Sequence, residues 1–517
     1  MTTAFAPTTP GAPARATARD WFALAVLMLP VLLVSVDGTV LGFALPSIAA
    51  TLGPTAAQQL WIVDVYPLVL AGLLVSMGSL GDRFGRRRLL LFGSTGFAAM
   101  SVVAAYSPTA GALIAARAGL GFFGAMLMPS TLSLLRNIFA DAGQRRLAIA
   151  VWASFFAAGA ALGPIVGGFL LEHFWWGSVF LMAVPVLVPL LVLAPVFVPE
   201  SRDPHPGRID AASIALSLLA LTPLVYAVKS LAKGGEPLQV LVPLAVGAVA
   251  TAAFVRRQLR RPDPMLDVRL FTDSRFSGAV AVNLLSVFSL VGFMFFVSQH
   301  LQLVIGMSPM DAGWALVPGL IVMMTAGLLV VRVVRYIAPS TIVVAGMLAS
   351  AAGYATVTVF ASPDSVTAIL LAFAMLGVGI GAAETLSNDM IVSSVPAEKA
   401  GAASAVSETA YEMGSVLGTA VLGSILAGAY AANLTLPAGV EGADAAAAAE
   451  TLAGAHHVAA GLPADTGAAL IAAAGQAFET GVVVTSAIGV GLMLAAAWIA
   501  HRTLRAPSSS TDATAAR

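Results

Sequence analysis

The chain has no cysteine and very little charge: Asp, Glu, Lys and Arg make up only 10% of its 517 residues. Without cysteine, disulfides, thiol catalysis and cysteine-ligated metals are excluded. A soluble globular chain carries about a quarter charged residues, and the deficit here accompanies 59% hydrophobic residues. One buried core cannot absorb so much apolar surface, whereas a chain whose solvent is mostly lipid can. The 26 basic and 26 acidic residues cancel, which leaves no electrostatic case for nucleic acid as a partner. Also missing are a P-loop lysine motif, a catalytic triad, a cofactor loop and a metal cluster, since His456–His457 has no companions at ligand spacing. These absences argue against an ATP-driven pump and against an enzyme, and neither cofactor nor metal is expected.

What is present is a succession of apolar runs. About 20 mostly apolar residues span a bilayer. Fourteen such runs occur, at 21–46, 58–79, 89–106, 110–132, 147–171, 178–198, 209–228, 238–255, 277–301, 313–331, 339–360, 366–390, 400–430 and 480–501. The first 20 residues are polar and read as a cytoplasmic tail. The first run contains Asp37 and lacks a small-residue cleavage site, so it reads as a retained helix and not a signal peptide. With the N-terminus in the cytoplasm, every Lys and Arg falls inside except Lys229 and Lys233, in an outside loop, and Arg117, within a span. That asymmetry follows the positive-inside rule and supports an even number of spans with both ends inside. Arginine outnumbers lysine and alanine is abundant, the composition of a GC-rich bacterial gene, so a bacterial cytoplasmic (inner) membrane is the expected location. The longest outside segment, 431–479, holds Glu441, Asp444, Glu450 and Asp465 but no Lys or Arg. Its Ala-rich stretch favours helix, which predicts a small helical hairpin over the outer mouth.

Two strings stand out. The loop after span 2 reads Gly78-Ser-Leu-Gly-Asp82-Arg83-Phe-Gly85-Arg86-Arg87-Arg88. Small glycines let helices approach closely, Asp82 can face the positive N-terminal end of another helix, and the arginines hold the loop at the anionic leaflet. Span 5 reads Gly159-Ala-Ala-Leu-Gly163-Pro164-Ile-Val-Gly167-Gly168. Glycines at steps of four make one smooth face, and Pro164 removes a backbone hydrogen bond and bends the helix. Gly119, Gly121 and Gly124 of span 4 match GxGxxG, but no strand precedes them, so a nucleotide site is rejected.

These strings, with Asp37-Gly-Thr39 and Ala44-Leu-Pro46 in span 1 and Trp61-Ile-Val-Asp64-Val-Tyr66-Pro in span 2, resemble the major facilitator superfamily. The resemblance is to its fourteen-helix drug:proton antiporter branch, and within it to exporters conferring resistance to methyl viologen and quaternary ammonium biocides. It implies an all-α polytopic membrane protein: two six-helix bundles, residues 21–198 and 277–501, with two further spans in 199–276 between them and tails at 1–20 and 502–517. It also implies alternating access about a midplane cavity, with Gly78, Asp82, Arg83, Gly85 and Arg86 as a gating loop and Gly159, Gly163, Pro164, Gly167 and Gly168 as an antiporter motif. Asp82 is then expected to meet the N-terminal end of span 13 near Lys399–Ala402. The chain departs from the pattern where the second-half loop motif shrinks to Arg332-Val-Val-Arg335 without its acid, and where span 10 holds no acid, Asp311 sitting only at its outer end.

A charge at mid-bilayer costs at least about 2.5–3.5 kcal/mol, so the intramembrane acids Asp37, Asp64, Glu384, Asp389, Glu408 and Glu412 are functional candidates, Asp389 with an interfacial reading beside it. Burial favours the neutral carboxyl and a nearby cation favours the ionised one. One group can therefore hold either a proton or a cation, which is the chemistry of antiport. Arg117, taken as the only intramembrane base, needs a partner and is expected to pair with Asp37. Asp37, Asp64 and Arg117 are assigned to proton coupling, with a purely structural ion pair as the competing reading. Glu408 and Glu412 lie four apart on one helical face and resist joint ionisation. They are assigned, with Glu384, Tyr411, Trp61 and Tyr66, to recognition of a cation. Phe288, Phe293, Phe295, Phe296 and Trp314 are further aromatic candidates.

The expectation is a monomer in the lipid bilayer that exchanges protons for a small cationic or amphiphilic compound such as a drug, dye or quaternary ammonium salt. A natural-product exporter conferring self-resistance is one alternative. A lipid-moving or sensory membrane protein without antiport is another.

Overall fold

A backbone in lipid must satisfy its polar groups within the segment, and helices do so. In the computed structural model, which describes residues 15–202, 210–232, 235–261, 264, 266–360, 366–395 and 400–504, the regular elements are all helical. Fourteen helices among the described residues are long and apolar enough to cross a membrane.

The helices are α1 (Ala18–Leu52), α2 (Ala56–Phe84), α3 (Arg86–Ala105), α4 (Ala110–Ile138), α5 (Ala142–His173), α6 (Ser178–Phe197), α7 (Ala211–Ala232) and α8 (Pro237–Arg260). They continue with α9 (Ser274–Val304), α10 (Pro309–Val333), α11 (Pro339–Phe360) and α12 (Val366–Ser393). Helix α13 joins Ala400–Gly418, a π-helical turn Thr419–Gly423 and Ser424–Asn433. Short helices α14 (Gly442–Glu450) and α15 (Leu452–Ala459) precede the long α16 (Ala464–Thr503).

The helices outrun the apolar stretches because polar residues cap them beyond the hydrocarbon. Thr55, Thr109, Asp141 and Ser308 each accept a hydrogen bond from a first-turn amide of the helix they precede. Helix α9 ends in a second π-helical turn, His300–Val304. Asp311 sits exposed in the first turn of α10, where it accepts a hydrogen bond from Ser308. Asp389 lies exposed near the end of α12.

Burial divides along the chain. One core draws on α1 to α6, and a second on α9 to α13, α14, α15 and α16, with Phe43, Leu45 and Leu60 joining the second from α1 and α2. Helices α7 and α8 pack on each other, and α7 also touches α2 and the π-turn of α13. At the end bearing the arginine loops, Asp210 ties this pair together. It accepts from Arg257 at 2.8 Å and from the Ser213 amide at 3.2 Å, and forms an ion pair with Arg261 at 3.1 Å. The Arg257 hydrogen bond holds its carboxyl well below the usual carboxylate range.

At the opposite end the two cores are joined. Ser298 donates to the Gly42 carbonyl at 2.9 Å and Gln302 to the Phe43 carbonyl at 3.3 Å. Between α5 and α10, a Cβ on Gly168 would lie 2.7 Å from the Met310 Cα, and one on Gly313 would press on the Pro164 carbonyl. The segment expected to form a helical hairpin forms α14 and α15, and α15 rests against α1. Tyr430 donates to the Ala448 carbonyl at 2.8 Å, and Glu450 accepts from the Ala56 amide at 2.8 Å.

Candidate functional site

The loop between α2 and α3 turns at Gly85, whose φ of 107° disfavours any side chain. A Cβ there would also lie 2.8 Å from the Glu200 carboxylate. That carboxylate, from beyond α6, accepts from the Arg87 amide at 3.0 Å and the Arg88 amide at 3.2 Å, so it caps the positive start of α3. Asp82 pairs with Arg86 at 2.6 Å. Its expected meeting with α13 falls on Lys399, outside the described residues. The α5 glycines press on α1: a Cβ on Gly159 would lie 2.8 Å from both the Leu32 carbonyl and the Ser35 Cβ, one on Gly163 would overlap Thr39, and one on Gly167 would lie 2.8 Å from Val40.

Two ion pairs lie inside the first half of the chain. Arg117 donates to Asp37 at 2.8 Å, both side chains being 5% exposed or less. The guanidinium also donates to the Ile62 carbonyl at 3.1 Å and lies 4.6 Å from the centre of the Tyr66 ring. The second pair corrects the sequence reading, in which Lys229 belonged to an outside loop and Arg117 was the only base within the spans. Helix α7 runs on to Ala232, so Lys229 lies inside it, buried, with its ammonium 2.8 Å from Asp64 and 4.0 Å from the centre of the Trp61 ring. A lysine at the end of an apolar run usually carries its ammonium out of the apolar phase; a carboxylate within reach reverses that preference. One face of Tyr66 and one of Trp61 are thus taken by the chain's own cations.

The other acids gather where the halves meet. Glu408 and Glu412 lie a helical turn apart on α13, both half-buried, and the half-buried Glu384 comes from α12. Tyr411 is within electrostatic reach of Glu384 and Glu412, and Glu412 within reach of Tyr66 on α2. Arg136, exposed near the end of α4, lies within reach of Glu408. From α5, Phe156 meets Tyr411 edge-on at 6.0 Å and stacks on Trp152 at 6.1 Å. The sequence reading passed over Trp152 and Phe156, although both lie on the helix that carries the glycine string. Phe293 and Phe296 pack into the core with Tyr354 and Phe373, and Trp314 is 53% exposed. These three do not join the acids.

The family model of the Major Facilitator Superfamily matches residues 27–419. The chain belongs to that superfamily. It is a multi-pass membrane protein of the facilitator fold, a transporter and not an enzyme. Among its relatives, the multidrug efflux pump LfrA of Mycolicibacterium smegmatis is 56% identical over 93% of this chain and 96% of the relative. The methyl viologen resistance protein SmvA of Salmonella typhimurium is 36% identical over 92% and 97% respectively. The tetracenomycin C resistance and export protein of Streptomyces glaucescens is 35% identical over 79% and 76%. Among solved structures, a bacterial homologue of the human lysosomal transporter Spinster, inward-facing and unoccupied, has a TM-score of 0.66 at 18% identity. The match covers 95% of this chain and all of that one, and it establishes the fold.

Proposed function

We propose that this facilitator exports cationic amphiphilic compounds, quaternary ammonium ions and viologens among them, in exchange for protons across a bacterial inner membrane. The observation that carries the reading is Tyr411 within electrostatic reach of Glu384 and Glu412, with Glu408 a turn before Glu412, next to the Trp152–Phe156 stack. Carboxylates and aromatic faces together recognise an organic cation. Glu408 and Glu412, a turn apart and half-buried, resist joint ionisation, so protons and cations compete for them.

In this reading Asp37 couples the proton, since Arg117 stabilises its charge only while the two touch, and Asp64 assists. The bundles 21–198 and 277–501 rock about the cleft, with 199–276 lying alongside, and the protein works as a monomer. Closure at the end bearing α14 and α15 and the half-exposed acids on the other side fit a cleft approached from the arginine-rich, cytoplasmic side. Drug efflux and methyl viologen resistance among the relatives support the substrate class. The tetracenomycin exporter supports a second reading, a natural product as cargo, with the same chemistry.

The test is purified protein in proteoliposomes with an internal pH dye. Methyl viologen should trigger proton movement opposite to its own, and Asp37→Asn should abolish it. Viologen transport with no proton movement would refute the exchange.

A further inference from the structure

Lys229 lies one turn from the end of α7, close enough for its four-carbon stem to carry the ammonium to water. It turns inward instead. Its charge rests 2.8 Å from Asp64 and 4.0 Å over the Trp61 ring, with the two side chains 5% and 0% exposed. Leu68, Val225, Val416 and Ala420 seal the junction around them. Thr419, in the π-turn of α13, lies within electrostatic reach of Asp64, while its hydroxyl donates to the Ser415 carbonyl at 3.4 Å. Three bodies therefore converge on one carboxylate: α2 brings Asp64 and Trp61, α7 brings the cation, and the π-turn of α13 packs against both.

A carboxylate beside an indole face is the chemistry that holds an alkylammonium ion. We infer that Asp64 and Trp61 form an alkylammonium site, occupied in this state by the chain's own Lys229 as a tethered counter-cation supplied by the inserted helices. The site itself is independent of the export reading. Its place in a transport cycle rests on that reading: separating α13 from α2 uncovers Asp64, and the tethered cation then competes with any free one. Helices α7 and α8 are on this account a working part of the machine and not a spacer.

The test uses the full chain and does not depend on transport. Lys229→Ala removes three methylenes and the ammonium, which is the outline of propylammonium. The variant should be less thermostable than the parent, and propylammonium should raise its unfolding temperature saturably toward the parent value. Propanol should not do so, and the parent protein and the Asp64→Asn/Lys229→Ala double variant should not respond to the amine. Trp61→Ala in the Lys229→Ala background should raise the amine concentration needed at least several-fold. If Lys229→Ala does not fold unaided, the same comparison is read as recovery of monodisperse protein on extraction with propylammonium present. No response of Lys229→Ala to the amine, or an equal response when Asp64 is also removed, overturns the proposal. Because neither readout involves export, a failure here leaves the proton-exchange test standing, and the reverse also holds.

Discussion

Replacing Asp37 with Asn keeps the shape of the side chain and removes its charge. Arg117 cannot answer by losing its proton, and its side chain is only 2% exposed. Removing one partner of a buried pair costs about 3–5 kcal/mol. The Ile62 carbonyl at 3.1 Å and the Tyr66 ring at 4.6 Å remain to cushion the guanidinium, and Asn can still accept one hydrogen bond. The loss should therefore sit near about 3 kcal/mol, roughly a hundredfold in any equilibrium that depends on the pair. Asp37→Asn should unfold at a lower temperature in detergent and export no substrate, monovalent or divalent. Asp37→Asn/Arg117→Met removes both charges, and since neutral replacement of a buried pair is often free of cost, it should recover most of the stability. It should not recover export or substrate-triggered proton release. A double variant that releases protons like the parent would reduce the pair to a structural one and refute the assignment.

Glu412→Gln should reshape the substrate profile in a resistance panel run in a pump-deficient host, sparing some compounds. If it lost substrate-triggered proton release while Asp37→Asn kept it, the two roles would be exchanged. Asp82→Asn should slow transport in proteoliposomes while substrate affinity, measured by direct binding, stays within about twofold of the parent; this is well under the roughly 1.4 kcal/mol of a tenfold change. Asp210 has a depressed folded-state value, so its stabilisation is present above the ordinary 3.8 and is lost as pH falls through the folded value. The unfolding temperature of Asp210→Asn should accordingly lie below the parent at neutral pH, with the gap closing below pH 3.8. A cysteine placed at Ala445, in a chain with none of its own, should react with an impermeant maleimide in intact cells. Reaction only after permeabilisation would break the fourteen-span topology.

The spans were legible because an apolar run long enough to cross lipid has few other fates, and no tertiary contact is needed to see one. Arg117 announced its need for a carboxylate for the same reason. Lys229 was misplaced because the end of an apolar run says only where leaving the bilayer is cheap. It does not say what waits on a neighbouring helix. A signal was nevertheless present: Asp64 was a second intramembrane acid in want of a base, and Lys229 stood directly after an apolar run. The π-turns at 300–304 and 419–423 left no trace in the residue pattern, since an extra residue per turn changes no hydropathy. Trp152 and Phe156 were hidden by their company, because aromatic residues on a spanning helix most often face lipid or packing. Glu200 was invisible as a cap because it lies more than a hundred residues from the amides it receives.

At two places in the joint between α5 and α10 main chain meets main chain: Gly168 faces the backbone of Pro309 and Met310, and Gly313 faces that of Pro164. Most helix contacts are toothed, with side chains of one surface seated in hollows of the other, and moving them means withdrawing each tooth. At these two glycines there is nothing to withdraw. The backbones can slide past one another at these points, and the hydrogen bonds from Ser298 and Gln302 to α1 add to what must be broken on opening. A toothless bearing is also easy to jam. A single methyl at Gly168 or Gly313 is a wedge driven between the halves, far from the acids, and it alters how often the outer end closes while leaving the chemistry of binding intact.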